Sequence, residues 1–380
     1  MKFRKVKLGD VCKIVSGTTP STNEASFWNG RIPWITPAEI HETSHVICKT
    51  ERLITEKAVE KKALNLLPKG TVLLTSRAPI GKVAIAGIDM YCNQGFKNLI
   101  CSDEIYNEYL YFFLKSKTSY LNYLGRGATF KEISKTIVEN ILIPLPSMTA
   151  QRQIAVRLDK VQELIALQKE QIKKADELVK SRFIEMFGDP VSNHKEWEIK
   201  TLKDLGDVMS GGTPSRSISK YFGGNINWFS AGELNYLFID KSLETITEEG
   251  LLHSNAKLFP AGSLLIGMYD TAAFKLSILK QKAAFNQACA AISPKVVKVI
   301  WLYYVLSLLK HEALKFRRGV RQKNLNLQFI RDFKVPVPPL DLQKQFAEFV
   351  ERIETQKALL EKRLNRLETL YKSLMQQYFG

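Results

Sequence analysis

Two stretches of the chain share one long apolar period. In the first, Ile154, Leu158, Val161, Ile165, Gln168, Ile172, Ala175, Val179, Arg182 and Met186 follow in steps of four and three. In the second, Phe346, Val350, Ile353, Lys357, Leu360, Leu364, Leu367, Tyr371, Leu374 and Tyr378 do the same. Such steps keep residues on one helical face, so each stretch predicts an α-helix with a seam sustained over about five heptads. At 1.5 Å per residue, roughly 38 residues make a rod of about 57 Å. Equal lengths and matching seams predict that the rods pack on each other; the alternative is two helices that each lie on their own module.

The rest of the chain has a shorter period. Runs such as TVLLTS (71–76) and KVAIAG (82–87), bounded by Gly and Pro, predict short strands joined by turns. The strings IPLPSMTAQRQ (143–153) and VPVPPLDLQKQ (335–345) mark the passage from strands to rod. Proline forbids helix before it, and Thr149 or Asp341 is the expected N-cap.

These elements occur twice. SGTTPS (16–21) returns as SGGTPS (210–215), at an offset of 194. At that offset Leu8 and Asp10 match Leu202 and Asp204, Phe27-Trp28 matches Tyr221-Phe222, and Gly30, Trp34 and Glu39 match Gly224, Trp228 and Glu233. With slips of one or two, LPKGTVLL (67–74) matches FPAGSLLI (259–266), Asn93-Gln94 matches Asn286-Gln287, and LYFFL (110–114) matches LYYVL (302–306). The chain is therefore a duplicated two-part unit, too long in period for a solenoid. The expected division is a globular module over 1–148, a helix over 149–188, a second module over 189–340 and a second helix over 341–380. Each module is mixed α/β, giving an α+β class overall. In the SGxTPS strings, Gly17 and Gly211 are expected to supply positive φ, and Pro20 and Pro214 to fix the turn. Their recurrence reports a shared fold and locates no site.

Composition and charge narrow the function. The 380 residues are 45% hydrophobic and 10% aromatic, as in folded proteins. Lys and Arg exceed Asp and Glu by 55 to 38, a net charge of +17. A surplus of that size predicts a polyanionic partner, with DNA, RNA and an anionic membrane surface all fitting. Residues 1–188 carry 28 basic and 19 acidic residues, and 189–380 carry 27 and 19. The rods are nearly neutral, 8 against 6 over 149–187 and 7 against 6 over 341–379. The modules are thus expected to meet the polyanion and the rods to meet protein. Five scattered cysteines without CxxC spacing predict reduced thiols in a cytoplasm and no zinc framework. MKFRKVKLGDV has no apolar signal region, and no run approaches a membrane span.

Candidate chemistry is sparse. His41-Glu42-Thr43-Ser44-His45 spells HExxH, which as a zinc site needs both imidazoles on one helical face and a third ligand. It lies among Thr and β-branched residues, and its repeat partner, Asn235 to Ile239, holds no metal-binding side chain, so a chance match is expected. No phosphate loop, dinucleotide fingerprint, GxSxG elbow or Asn-Pro-Pro-aromatic string is present, so no catalytic or metal-binding residue is assigned. Basic residues beside glycines and aromatics are the candidates for DNA contact: Arg77, Lys82, Lys97, Arg126 and Lys131 in the first module, and Lys275, Arg317, Arg318, Arg321 and Lys323 in the second.

Two modules that each begin LxDxxxxxSGxTPS, pass through a tryptophan-centred strand and IPLP or VPVP, and end in a QxQ-led helix resemble the specificity subunit of type I restriction–modification enzymes. The resemblance covers essentially the whole chain. It implies two target-recognition domains, each reading one half of a bipartite double-stranded DNA site, and an antiparallel coiled coil of the two helices, with pseudo-two-fold symmetry, that sets the spacing. It implies no catalysis in this subunit. It implies recruitment of two methyltransferase subunits and, through them, of restriction subunits. S-adenosylmethionine, ATP and Mg are expected on those partners, none on this chain. Because SRAPIGKVAI answers to MYDTAAFKLSI, the half-sites are expected to differ. Two other readings stand beside this one: a DNA-modifying enzyme with an unrecognised active site, and a coiled-coil adaptor or RNA-binding protein.

Overall fold

A computed structural model describes residues 3–41, 43–77, 79–125, 131–317 and 324–380. By internal contact the chain forms two compact units, Met1–Lys169 with Lys362–Gly380, and Glu170–Glu361.

In the first unit a five-stranded sheet runs in the order Cys12–Ser16, Lys97–Cys101, Val72–Leu74, Val83–Ala86, Val46–Ile47. Its neighbours are antiparallel except the last pair, which is parallel. Alternate side chains leave opposite faces of a strand. Val72 and Leu74 accordingly enter one apolar cluster, while Leu73, between them, enters another with Ile35, Ile40 and Phe96. Both faces are covered, which is why these strands read as unbroken apolar runs. A second sheet has Trp28–Ile35 at its centre, antiparallel to Arg52–Ile54 and parallel to Tyr91–Cys92. Lys5–Lys7 pairs with Leu142–Pro144, tying the start of the module to its end just before the rod.

The buried partner of the large sheet is a helix, Asn107–Ser116. Every residue from Tyr109 to Leu114 is buried, between the sheet and the rod residues Ile154, Leu158 and Phe379. A short apolar run such as Tyr109–Leu114 does not by itself distinguish strand from helix. Burial of each large side chain contributes about 1.5–3 kcal/mol, so this helix is a main source of the unit's stability.

The second unit repeats the design. The order is Gly206–Ser210, Cys289–Pro294, Leu264–Gly267, Leu276–Leu279, Phe238–Ile239, with Phe222–Phe229 central in a three-stranded sheet. Val299–Leu314 is the buried helix.

The rods are Met148–Phe187 and Leu340–Phe379, each 40 residues. Ser147, not Thr149, caps the first, its Oγ accepting from Ala150 N. Asp341 likewise lies inside the first turn of the second, where it pairs with Lys344. In the first unit Arg157 meets Tyr378, Gln162 meets Tyr371 and Lys169 meets Glu368. One number rises as the other falls, so the rods run antiparallel there. In the second unit Asp176 meets Lys357 and Phe183 meets Phe346 edge to face, again antiparallel. Ile154, Leu158, Val161, Val179, Phe346, Val350 and Ile353 are buried, and Ile165, Ile172, Leu360, Leu364 and Leu367 are half-buried.

The QxQ glutamines join rod to module. Gln151 Oε1 accepts from Tyr106 N at 2.8 Å, and its Nε2 donates to the carbonyls of Glu104 and Pro146. Gln343 does the same, accepting from Lys298 N and donating to Pro338 O. Each buried side-chain amide satisfies a donor at the start of the buried helix that has no partner within that helix.

The glycines of the SGxTPS strings correct the expectation of positive φ. Among the described residues the glycines with positive φ are Gly70, Gly81, Gly188, Gly223 and Gly262. Gly17 and Gly211 serve instead for close approach: a Cβ there would lie 2.2 Å from Cys92 O and 2.1 Å from Phe285 O.

Candidate nucleic-acid interface

In the first unit, the turn between Val72–Leu74 and Val83–Ala86 carries Arg77 and Lys82. Thr75 N bonds to Lys82 O, and Lys82 N to Thr75 Oγ1, which closes that turn. Gly81, at φ 87°, makes the reversal. Arg77 Nε lies 2.9 Å from Glu132 Oε2, and Lys97 Nζ lies 3.0 Å from Glu132 Oε1. Glu132 therefore holds two of the candidate cations at once. Burial pushes its carboxyl up, but hydrogen bonds from Lys97 and Arg77, with their charges, outweigh that and hold it below the usual carboxylate range. Only 9% of the Lys97 side chain is exposed, so Lys97 is a buried member of this cluster, whereas Arg77 keeps 47% of its side chain open. Lys82 is half-buried and Lys131, next to Glu132, is exposed. Arg77, Lys82, Lys97 and Lys131 are thus gathered at one end of the module. Arg126 lies outside the described residues.

Among the described residues the second unit has no copy of this clamp. At the positions of Lys97 and Glu132 stand Ala290 and Asn324, as the matching pairs Ser16–Lys97 and Ser210–Ala290 establish for the first. Lys275 instead bonds Asn235 Oδ1 at 2.8 Å, and Arg317 Nε lies 3.3 Å from Leu314 O at the end of the buried helix. Arg318, Arg321 and Lys323 lie outside the described residues.

A second basic feature was hidden by the repeat. In the first unit the Arg52 guanidinium stands over Trp28 at 5.2 Å and Trp34 at 6.0 Å. In the second, Arg216 stands over Phe222 at 4.7 Å and Trp228 at 5.2 Å. The aromatics are equivalent, but the arginines are not. Arg52 pairs across the sheet with Trp34, and the residue so paired with Trp228 is Glu244. Arg216 comes from the SGGTPS loop, at the position of Thr22. Position-by-position matching therefore cannot find this pair.

The shared loops meet beside these sheets. Trp34 Nε1 donates to Thr18 O and Trp228 Nε1 to Gly212 O. Thr19 bonds Gln94 and Thr213 bonds Gln287.

His45 of the HExxH string precedes a strand rather than lying on a helix. Its ring stacks on Tyr111 at 4.5 Å, with Nε2 2.6 Å from Glu108 and Nδ1 3.6 Å from Asp159. Glu42 lies outside the described residues. Among the described residues no three His, Cys, Asp or Glu side chains gather as a metal site.

Residues 1–177 and 194–369 match the family described as Type I restriction modification DNA specificity domain. The MjaIX type I restriction enzyme specificity subunit of Methanocaldococcus jannaschii is 33% identical over 369 residues, spanning 91% of this chain and 85% of that protein. In fold, the type I restriction-modification S subunit from M. genitalium matches with a TM-score of 0.65 at 17% identity, over 100% of this chain and 96% of that one. A chain from a structure of complex assembly and conformational transition in the type I R-M system matches at 0.63 with 20% identity, over 100% and 97%. Two sheet-bearing halves of one topology, joined by a long helix and matched over nearly their whole length, place this chain in the family of type I restriction–modification DNA specificity subunits.

Proposed function

We propose that each unit reads one half of a bipartite, asymmetric DNA site, and that the paired rods set the spacing between the half-sites. The observation that carries this reading is the duplicated topology combined with diverged basic clusters. The same scaffold presents an Arg77–Glu132–Lys97 clamp in one unit and Lys275 and Arg317 in the other. Equal scaffolds with unequal side chains suit two half-sites of different sequence. The division into recognition domains at 1–148 and 189–340, with spacer helices at 149–188 and 341–380, belongs to the same proposal. So do DNA contacts by Arg77, Lys82, Lys131, Lys275 and Arg317, and by Arg126, Arg318, Arg321 and Lys323.

The subunit recruits rather than catalyses. Two methyltransferase subunits dock on it and bring S-adenosylmethionine, and restriction subunits join through them with ATP and Mg. Exposed apolar side chains on the rods suit such docking: Val156, Leu164, Leu167 and Leu370 in the first unit, Leu178 and Leu359 in the second. The complex works in the cytoplasm; no helix among the described residues is long and apolar enough to cross a membrane.

Sequencing of methylated bases in the source strain, with and without this gene, tests the reading. A bipartite motif that disappears with the gene is expected, and an unchanged methylome overturns it. Competition between duplex DNA and RNA for the pure chain separates the RNA-binding alternative.

A further inference from the structure

We propose that Arg52 is a phosphodiester contact of the first unit, held ready by Trp28 and Trp34, and that Arg216 on the equivalent aromatics of the second unit is closed to DNA by Glu244. The inference rests on the DNA reading above and adds a site outside the basic cluster around Glu132.

Four observations meet at Arg52. Its guanidinium stands over an edge-to-face tryptophan pair whose ring centroids are 5.1 Å apart. No described residue forms a hydrogen bond or ion pair with that guanidinium. It lines an open cavity of about 420 Å³ together with Thr22, Trp28, Asn29, Gly30, Leu53 and one acidic residue, Glu51, whose backbone N–H is taken by Glu39. The strand below is bulged between Trp28 and Ile32, and Asn29 sits at a φ of 61°, a left-handed conformation uncommon outside glycine. A guanidinium held over an indole is attracted to the ring face and keeps its N–H donors available for hydrogen bonds. A planar fork of that kind matches two oxygens of a phosphate.

The second unit has the same platform in a closed state. Arg216 stacks on Phe222 and Trp228, but its two terminal nitrogens lie 2.9 and 2.7 Å from the two oxygens of Glu244. The fork is occupied by an internal carboxylate. The aromatic platform is common to both units, whereas half-sites read by diverged modules differ. The rings that hold Arg52 belong to that common part, although Arg52 itself does not, and a guanidinium placed by shared scaffold suits a phosphate contact.

The test is the salt dependence of duplex binding by the purified full-length chain. Arg52→Ala is expected to weaken binding about tenfold and to reduce the slope of log K against log salt by about one, uniformly across sequences. Arg216→Ala is expected to leave the slope unchanged. The double substitution Thr22→Arg with Arg52→Glu copies the closed arrangement into the first unit. It restores a stacked guanidinium, so the melting temperature should stay at the wild-type value while the slope falls as in Arg52→Ala. A wild-type slope in Arg52→Ala, a loss confined to one base position, or wild-type affinity in the folded double variant overturns the assignment. Absence of salt-dependent binding in the wild type overturns the DNA reading itself and the contact with it.

Discussion

Glu132 decides how two basic residues of the first unit behave. Lys97 is buried at the end of its strand, and a buried ammonium without a partner is costly. Glu132→Gln removes the charge but keeps a carbonyl acceptor, and should destabilise the unit by about 1–3 kcal/mol in urea unfolding at neutral pH. The pH dependence has a definite sign. The folded carboxyl titrates below the ordinary glutamate value of 4.5, so its contribution is complete above that value and fades as pH falls through the lowered one. The stability gap between wild type and Glu132→Gln should therefore be constant near neutrality and narrow in acid. Gly17 makes a second residue-scale case. A methyl there would lie 2.2 Å from the Cys92 carbonyl, so Gly17→Ala should cost about 1–3 kcal/mol or more by thermal melting. Gly232, where the nearest atom to an added Cβ is 3.9 Å away, should accept Ala with little change. The SGxTPS repetition was plain in the sequence; the reason for its glycine was not, because the crowding carbonyl comes from a strand about 75 positions away.

At the scale of elements, the joint between rod and module rests on one amide in each unit. Gln343→Ala removes a buried amide and leaves the partly buried Lys298 N–H without its acceptor, and should destabilise the second unit by about 1 kcal/mol, read by hydrogen exchange at the start of Val299–Leu314. Within the seam, Lys357 stands where an apolar residue is expected. Its side chain is only 15% exposed and contacts Asp176 at 2.6 Å and Glu354 at 2.9 Å. Burial pulls its pKa down, but hydrogen bonds and charges from Asp176 and Glu354 win and hold it above the ordinary lysine value. A polar residue in a seam specifies register at some cost in stability, and Lys357 with Asp176 fits that role. The rods themselves were legible from their four-three spacing. The buried helices were not, since Tyr109–Leu114 is an apolar run too short to tell helix from strand, and the run around Trp301–Leu309 is apolar on nearly every side.

For the whole molecule the expectations concern spacing and partnership. A heptad inserted into both rods, near Gln168 and Leu360, lengthens each by roughly 10 Å while nearly preserving the seam. With one phosphate pair per ~3.4 Å of duplex, this corresponds to about three base pairs. The methylated motif of such a variant, coexpressed with its methyltransferase partner, should keep both half-sites and gain a longer spacer, by less than three base pairs if the rods lie oblique to the duplex. An unchanged spacer in a folded variant shows that the rods do not set half-site separation. Two inserted residues should turn the seam by about 200° and abolish pairing. The pure chain should show no methylation, and should support it only when the methyltransferase subunits are added; activity in a preparation shown by mass spectrometry to lack them refutes this.

Duplication, rod length, seam and basic surplus are properties of the order of residues along the chain, and the sequence alone determined them, because a helical period and a repeat offset are local or additive. It also carried the family, through motifs recurring in a fixed order. Which cations are open was decided only by tertiary structure. Lys97 and Arg77 look alike in sequence, yet one is buried on Glu132 and the other reaches solvent. Arg52 and Arg216 occupy unrelated positions, yet each comes to rest on the equivalent aromatic pair of its own unit. The physical reason is that a charge's availability depends on its partner and its burial, and both come from segments distant in the chain. Glu132 is 35 residues from Lys97, and Glu244 is 28 from Arg216. Only the folded sheet brings them within 3.0 Å.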